Sequence, residues 1–142
     1  MNAKKHILFM CVANSARSQL AEGLAKQLFG TNAEIHSAGS KPSTVNPLAV
    51  RVLDEIGIDS SRQFSKSVQD LPPKILEELD YVITLCAEEI CPIILSKAQR
   101  QHWPIRDPAG RGETEDERLR IFRETRHQIQ EKLRELSGTI DR

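Results

Sequence analysis

Apolar positions in this chain follow two rhythms that alternate along its length. Ile7 to Cys11 is an unbroken apolar run, the pattern of a strand buried on both faces. Ser18 to Phe29 then reads as a helix with Leu20, Leu24, Leu28 and Phe29 on one face, stopped by Gly30. Glu34 to Ala38 predicts a second short strand closed by Gly39. Asn46-Pro47 supplies a cap and a first-turn proline for a helix running to Gly57 through Val50, Leu53 and Ile56. A polar loop covers Asp59 to Gln69, and Pro72 opens a short helix. Tyr81 to Cys86 (YVITLC) is the most β-branched apolar run in the chain and predicts a central parallel strand. Ala87 to Lys97 is irregular, and His102 to Ile105 predicts a short edge strand before Asp107-Pro108. Thr114 to Leu136 predicts a long helix: Leu119, Phe122, Ile129, Leu133 and Leu136 keep a three-four spacing, and Thr114 and Glu117 have the spacing of a capping box.

Strand and helix alternate, so the expected fold is α/β: a three-layer doubly wound sheet of about four parallel strands flanked by helices. A length of 142 residues fits one domain, 1–142, with a single core. Ligands of such sheets bind at the carboxyl ends of the strands. Cys11 and Cys86 each close a predicted strand there, so neighbouring strands place both thiols on one rim.

Charge narrows the partners. Lysine plus arginine and aspartate plus glutamate both total 20, a formal net charge of zero, which leaves no global field for nucleic acid or a membrane surface. Anion binding must therefore be local. The run Ile7 to Val12 is too short for a signal-peptide core or a membrane span, and the expected location is cytoplasmic. Three cysteines argue against a static disulfide framework; in a reducing compartment they are structural, metal-binding or redox-active. The spacing of His6, His36, His102 and His127 suggests no metal site, and no cofactor is expected.

The candidate chemistry lies in CVANSARS, residues 11–18. A short loop of small polar residues leading into a helix can wrap the backbone N–H groups of Val12, Ala13, Asn14, Ser15, Ala16, Arg17 and Ser18 around a tetrahedral oxyanion. The helix N-terminus and Arg17 favour the thiolate of Cys11, and Arg17 adds a planar fork for two anion oxygens. Asn14 tolerates the left-handed conformation that a tight loop needs, and Ser15 can donate a hydrogen bond to the thiolate. The competing reading of Cys11 is a buried thiol at a strand end.

CVANSARS resembles the phosphate-binding loop of the low-molecular-weight protein tyrosine phosphatase fold, the phosphotyrosine protein phosphatase I-like architecture. With SQLAEG, SAG at 37–39, TLC at 84–86, HW at 102–103 and DPAG at 107–110, the chain resembles the arsenate reductase branch from about Lys5 to Leu136. The resemblance implies that Cys11 attacks arsenate, with phosphate and sulfate as competing oxyanions, and that Cys86 attacks the adduct and releases arsenite. Cys91 then attacks the Cys11 to Cys86 disulfide, leaving Cys86 paired with Cys91 for thioredoxin to reduce. It also implies that Asp107 is the general acid, on a loop stiffened by Pro108, where the residues alone suggest a turn.

Three features depart from the family pattern. The spacer between Cys86 and Cys91 is shorter than in thioredoxin-coupled members, which keeps glutaredoxin or a small thiol in play as reductant. Five positions along a regular helix span about 7.5 Å, beyond disulfide reach, so this segment must loop when oxidised. Ala16 stands where many relatives carry another cysteine. Some reductases hold potassium through residues equivalent to Asn14, Glu22, Ser37 and an aspartate at position 66; here that position is Lys66, whose ammonium is expected to replace the cation and steady Asn14 and Glu22, against the alternative of an exposed loop lysine. Two other functions compete. One is a phosphatase hydrolysing phosphate monoesters through a Cys11 phosphocysteine, although DPAG lacks the tyrosines usual after Asp-Pro in phosphatases. The other is an oxyanion or redox sensor, for which Asp107 has no use. A monomer is expected.

Overall fold

The computed structural model describes residues 4–87, 93–94 and 96–140. Four parallel strands form one sheet in the order β2-β1-β3-β4: β1 (Lys5–Cys11), β2 (Ala33–Gly39), β3 (Tyr81–Thr84) and β4 (Gln99–His102). Because side chains alternate across a strand, β1 feeds two cores. Ile7 and Phe9 pack with helices α1 (Arg17–Phe29), α2 (Pro47–Asp54) and α4 (Glu115–Ile140), while Leu8 and Met10 pack with Leu71, Leu79 and Val82 beneath α3 (Pro73–Glu78). These are the three layers of the doubly wound fold.

Local signals placed most of these elements. Asn46 caps α2 by accepting from the Leu48 N–H at 2.9 Å, with Pro47 in the first turn. Thr114 Oγ1 accepts from the Glu117 N–H at 3.1 Å, and the Glu117 carboxylate reaches back to the Glu113 N–H at 2.8 Å, one residue earlier than in a strict capping box. Leu119, Phe122, Ile129, Leu133 and Leu136 are all buried, and burying a side chain of this size contributes roughly 1.5–3 kcal/mol.

Four expectations need correction. Val50 is 39% exposed, because α2 packs through Ala49, Val52 and Leu53 instead. Leu28 is 45% exposed in a groove whose far wall is Gln130, Leu133 and Arg134 of α4. The strand beginning at Tyr81 ends at Thr84, so Leu85 and Cys86 lie beyond it. The edge strand is Gln99–His102 rather than His102 to Ile105. Its pairing is carried by the main chain alongside Tyr81 to Thr84, and its largely exposed sequence QRQH has no apolar signature. The apolar pattern instead marked Trp103 and Ile105, which are buried in the core just after the strand.

The site is positioned by the ends of the two inner strands. Cys11 is the last residue of β1, and the Leu85 N–H donates to the Met10 carbonyl at 2.9 Å, holding the residue before Cys86 beside the residue before Cys11. Among the described residues no helix is long and apolar enough to cross a membrane.

Candidate active site

Residues 12–16 carry the chain from Cys11 into α1, and every carbonyl of that turn is held. The Val12 oxygen accepts from the Lys41 N–H (2.9 Å), the Ser15 oxygen from the Asn46 N–H (2.9 Å) and the Ala16 oxygen from the Leu20 N–H (2.8 Å). The Ala13 oxygen accepts from the Ser43 N–H (3.2 Å) and Ser65 Oγ (3.0 Å), and the Asn14 oxygen from Gln19 Nε2 (3.1 Å). A trans peptide points its carbonyl and the following N–H in opposite directions. Outward carbonyls at 12–16 therefore turn the N–H groups of residues 13–17 inward, a concave set of donors suited to a tetrahedral oxyanion at a helix N-terminus. Asn14 makes the turn with φ 47°, the left-handed conformation expected of it.

A directed hydrogen-bond chain runs behind the sulfur. Asn14 Nδ2 donates to Ser18 Oγ at 2.7 Å and to Ser37 Oγ at 3.0 Å, while its Oδ1 accepts from the Lys66 N–H at 2.9 Å. Ser37 Oγ donates to Glu22 Oε1 at 2.5 Å. Ser18 Oγ lies 2.9 Å from the buried Cys11 Sγ; since Ser18 accepts from Asn14, its hydroxyl hydrogen is left for a Cys11 thiolate. The sulfur's partner is thus Ser18 and not Ser15. In the first turn of α1 the Ser18 hydroxyl comes to the end of β1, whereas Ser15 is tied to Asn46 by its carbonyl.

Lys66 divides its work between main chain and side chain. Its carbonyl accepts from the Gly39 N–H at 3.0 Å, which fixes its N–H toward Asn14. The ammonium turns back over the Phe64 ring, 4.5 Å from the centroid, donates to the Phe64 carbonyl at 3.0 Å and lies 3.7 Å from Glu22 Oε1. The side chain is only 13% exposed, so it is not an exposed loop lysine. The ammonium thus lies beside Glu22, while Asn14 is met by the Lys66 backbone N–H instead of the ammonium. Burial pushes the Lys66 ammonium below the ordinary lysine range, against the raising effect of Glu22. Glu22 is itself buried and also meets Lys26 Nζ at 2.6 Å.

Arg17 joins the loop to two other segments. Its buried guanidinium donates through Nη1 to the carbonyls of Ile105 (2.9 Å) and Leu85 (3.3 Å), and Nη2 lies 3.7 Å from Asp107 Oδ2. Asp107 is half-exposed, and its Oδ1 accepts from the Ala109 N–H at 3.0 Å. The same carboxylate is both the turn residue and a group beside the loop arginine. Cys86 is buried and disulfide-bonded, while Cys11 is a free thiol. Cys91 lies outside the described residues, with the spacer from Glu88 onward. No group of three or more histidine, cysteine or carboxylate side chains that could hold a metal occurs among the described residues.

A model of the family described as low molecular weight phosphotyrosine protein phosphatase matches residues 6–142. The chain belongs to this family. It is 39% identical to an arsenate reductase of Halalkalibacterium halodurans over 138 residues, 96% of this chain and 97% of that one. The solved structure of an arsenate reductase in its phosphate-binding state superposes with a TM-score of 0.79 at 32% identity, covering 96% of this chain and 98% of that one. A thioredoxin-dependent arsenate reductase of Corynebacterium glutamicum superposes at 0.75 with 29% identity, covering 99% of this chain and 63% of that one.

Of the residues expected at the site of this phosphatase-family chain, the fold brings Cys11, Asn14, Arg17, Ser18, Glu22, Ser37, Lys66 and Asp107 together, with Leu85 leading into Cys86. Three contributors were not among the residues expected at the site. Gly39 passes directly under the loop, and Ser65 binds the Ala13 carbonyl from 52 positions away. Gln19 is fully buried. Lying between Arg17 and Glu22, Gln19 carried no sign of burial in the sequence.

Proposed function

We propose that this protein reduces arsenate to arsenite, serving arsenic detoxification. Val12, Ala13, Asn14, Ser15, Ala16, Arg17 and Ser18 hold the oxyanion, with Asn14, Glu22, Ser37 and Lys66 supporting the loop. The Cys11 thiolate attacks arsenic(V), and Asp107 protonates the departing oxygen, which leaves as water. The Cys86 thiolate then attacks the Cys11 sulfur; the sulfur–arsenic bond breaks with its electron pair remaining on arsenic, so arsenite leaves and a Cys11 to Cys86 disulfide forms. The Cys91 thiolate attacks Cys86 and displaces Cys11 as thiolate, leaving a Cys86 to Cys91 disulfide. A dithiol protein, thioredoxin or glutaredoxin, supplies two electrons to restore the thiols.

The observation that carries this reading is the placement of a second cysteine at the rim of the sheet that holds Cys11. Cys11 ends β1 under the loop, and Cys86 is buried just beyond β3, its preceding residue bonded to both Met10 and Arg17. A relay needs a second thiol at that place, and a phosphatase has no need of one. A reducing compartment suits a working thiol, so the proposed location is the cytoplasm, and the proposed state is a monomer.

Arsenate-dependent NADPH oxidation with thioredoxin and thioredoxin reductase tests the proposal, with an aryl phosphate assay alongside. Arsenate turnover is expected, with Cys86→Ser and Cys91→Ser each ending multiple turnover while Cys11 remains alkylatable. Hydrolysis of the aryl phosphate without arsenate turnover would assign the phosphatase reaction instead. Sustained turnover by Cys91→Ser with a glutaredoxin system would remove Cys91 from the relay.

A further inference from the structure

Gln19 sits in the first turn of α1 with no solvent exposure, and each polar atom of its side chain is used. Nε2 donates to the carbonyls of Asn14 (3.1 Å) and Phe64 (3.0 Å). Gln63 Nε2 donates to Gln19 Oε1 (2.9 Å) and to the Gln19 carbonyl (3.0 Å), so the orientation of the buried amide is set from both ends.

Among the carbonyls of residues 12–16, those of Val12, Ala13, Ser15 and Ala16 are each held by a main-chain N–H, which no side-chain substitution removes. The donor to the Asn14 carbonyl is the Gln19 side chain. Asn14 is also the residue with positive φ, where a non-glycine backbone is least at ease and a peptide flip relieves the conformation. If that peptide turned, the Ser15 N–H would leave the concave face and the Asn14 carbonyl would enter it, putting a partial negative charge where an anion is to bind.

We infer that Gln19 is a positioning residue for oxyanion binding: it holds the Asn14 peptide so that the Ser15 N–H faces the anion. Ser65 assists by donating to the Ala13 carbonyl, which keeps the Asn14 N–H turned the same way. The segment Gln63 to Lys66 is thereby a clamp on the outside of the loop, acting through Gln19, Ser65 and the Lys66 N–H. The inference rests on the oxyanion reading proposed above.

The test is the dissociation constant of inorganic phosphate, measured by calorimetry on the full chain, together with the thermal midpoint and the arsenate KM and kcat. Gln19→Met is expected to weaken phosphate binding roughly tenfold and to raise the arsenate KM by a similar factor, with the larger effect on KM than on kcat. Ile129→Val, a core truncation in α4 away from the loop, is expected to lower the thermal midpoint while leaving phosphate affinity within about twofold. Gln19→Asn, whose shorter amide cannot span from Gln63 to the Asn14 carbonyl, is expected to weaken phosphate in the same direction and decides the matter if Gln19→Met does not fold. Phosphate affinity in Gln19→Met within twofold of the unaltered protein, or a loss no greater than in Ile129→Val, overturns the inference, as does unchanged affinity in Gln19→Asn should that variant have to decide. Failure of the unaltered protein to bind phosphate at all sinks the oxyanion reading itself, and the inference with it.

Discussion

A side-chain carbon on Gly39 would stand 2.4 Å from the Val12 carbonyl oxygen, 2.9 Å from that of Cys11 and 3.0 Å from the Asn14 nitrogen. All three atoms are backbone, so none can swing aside. The end of β2 therefore presses against the turn that follows Cys11, and only a residue without Cβ lets it pass. Gly39→Ala is expected to displace residues 11–14, lower stability by about 1–3 kcal/mol, and cost more than tenfold in arsenate kcat/KM. Urea unfolding and steady-state kinetics check the two effects, and an alanine variant with unaltered kinetics would mean the turn tolerates displacement.

Ser18 is the hydroxyl directed at Cys11. Removing a hydrogen bond to a charged group costs about 1.5–3 kcal/mol, so Ser18→Ala is expected to slow alkylation of Cys11 at neutral pH on the order of 10- to 100-fold. Iodoacetamide labelling of protein with Cys86 in its disulfide isolates this thiol. Ser15→Ala, whose carbonyl to Asn46 is retained, is expected to label at nearly the original rate.

The Lys66 ammonium beside Glu22 makes a further prediction about cations. The unaltered protein is expected to show the same thermal midpoint and arsenate turnover in potassium and sodium chloride at equal ionic strength. Lys66→Met leaves the buried Glu22 carboxylate with Lys26 as its cationic partner and is expected to lower the midpoint. A measurable preference for potassium in the unaltered protein would show that the ammonium has not taken a metal ion's place.

Glu55 at the end of α2 is clamped by Arg123 of α4 at 2.6–3.1 Å and by Arg126 at 3.0 Å, and these hold its carboxyl at about 2, well below the usual range. A carboxyl depressed in the folded state stabilises fully above its unfolded pKa of about 4.5, and that contribution is lost as pH falls through about 2. Glu55→Gln is expected to flatten the acid side of the stability profile between these values and to leave its shape above pH 5 unchanged. Urea midpoints at pH 3 and pH 7 for both proteins make the comparison.

The residues that the pattern placed well were those whose evidence is local. Gly30 stops α1 with φ 54°, Asn46 caps α2, and the five apolar residues of α4 face the core, because each outcome depends on neighbours within a turn or two. Cys11, Arg17 and the left-handed Asn14 were legible for the same reason, lying within seven positions at a strand-to-helix junction. The edge strand Gln99–His102 was not, since its pairing uses backbone groups that all residues share.

The sequence by itself determined the alternation of strands and helices, the short turn from Cys11 into a helix and the positions of the three cysteines. Only the tertiary structure decided which serine meets the sulfur, that the Lys66 main chain rather than its ammonium meets Asn14, and that Gln19 and Gly39 shape the loop. Those outcomes turn on chain segments far apart in sequence, Asn14 with Lys66 at 52 positions and Arg17 with Ile105 at 88, and on hydrogen-bond directions that follow once the sheet order is set. Spacing along a chain carries the period of a helix or strand, but not which loop arrives beside it.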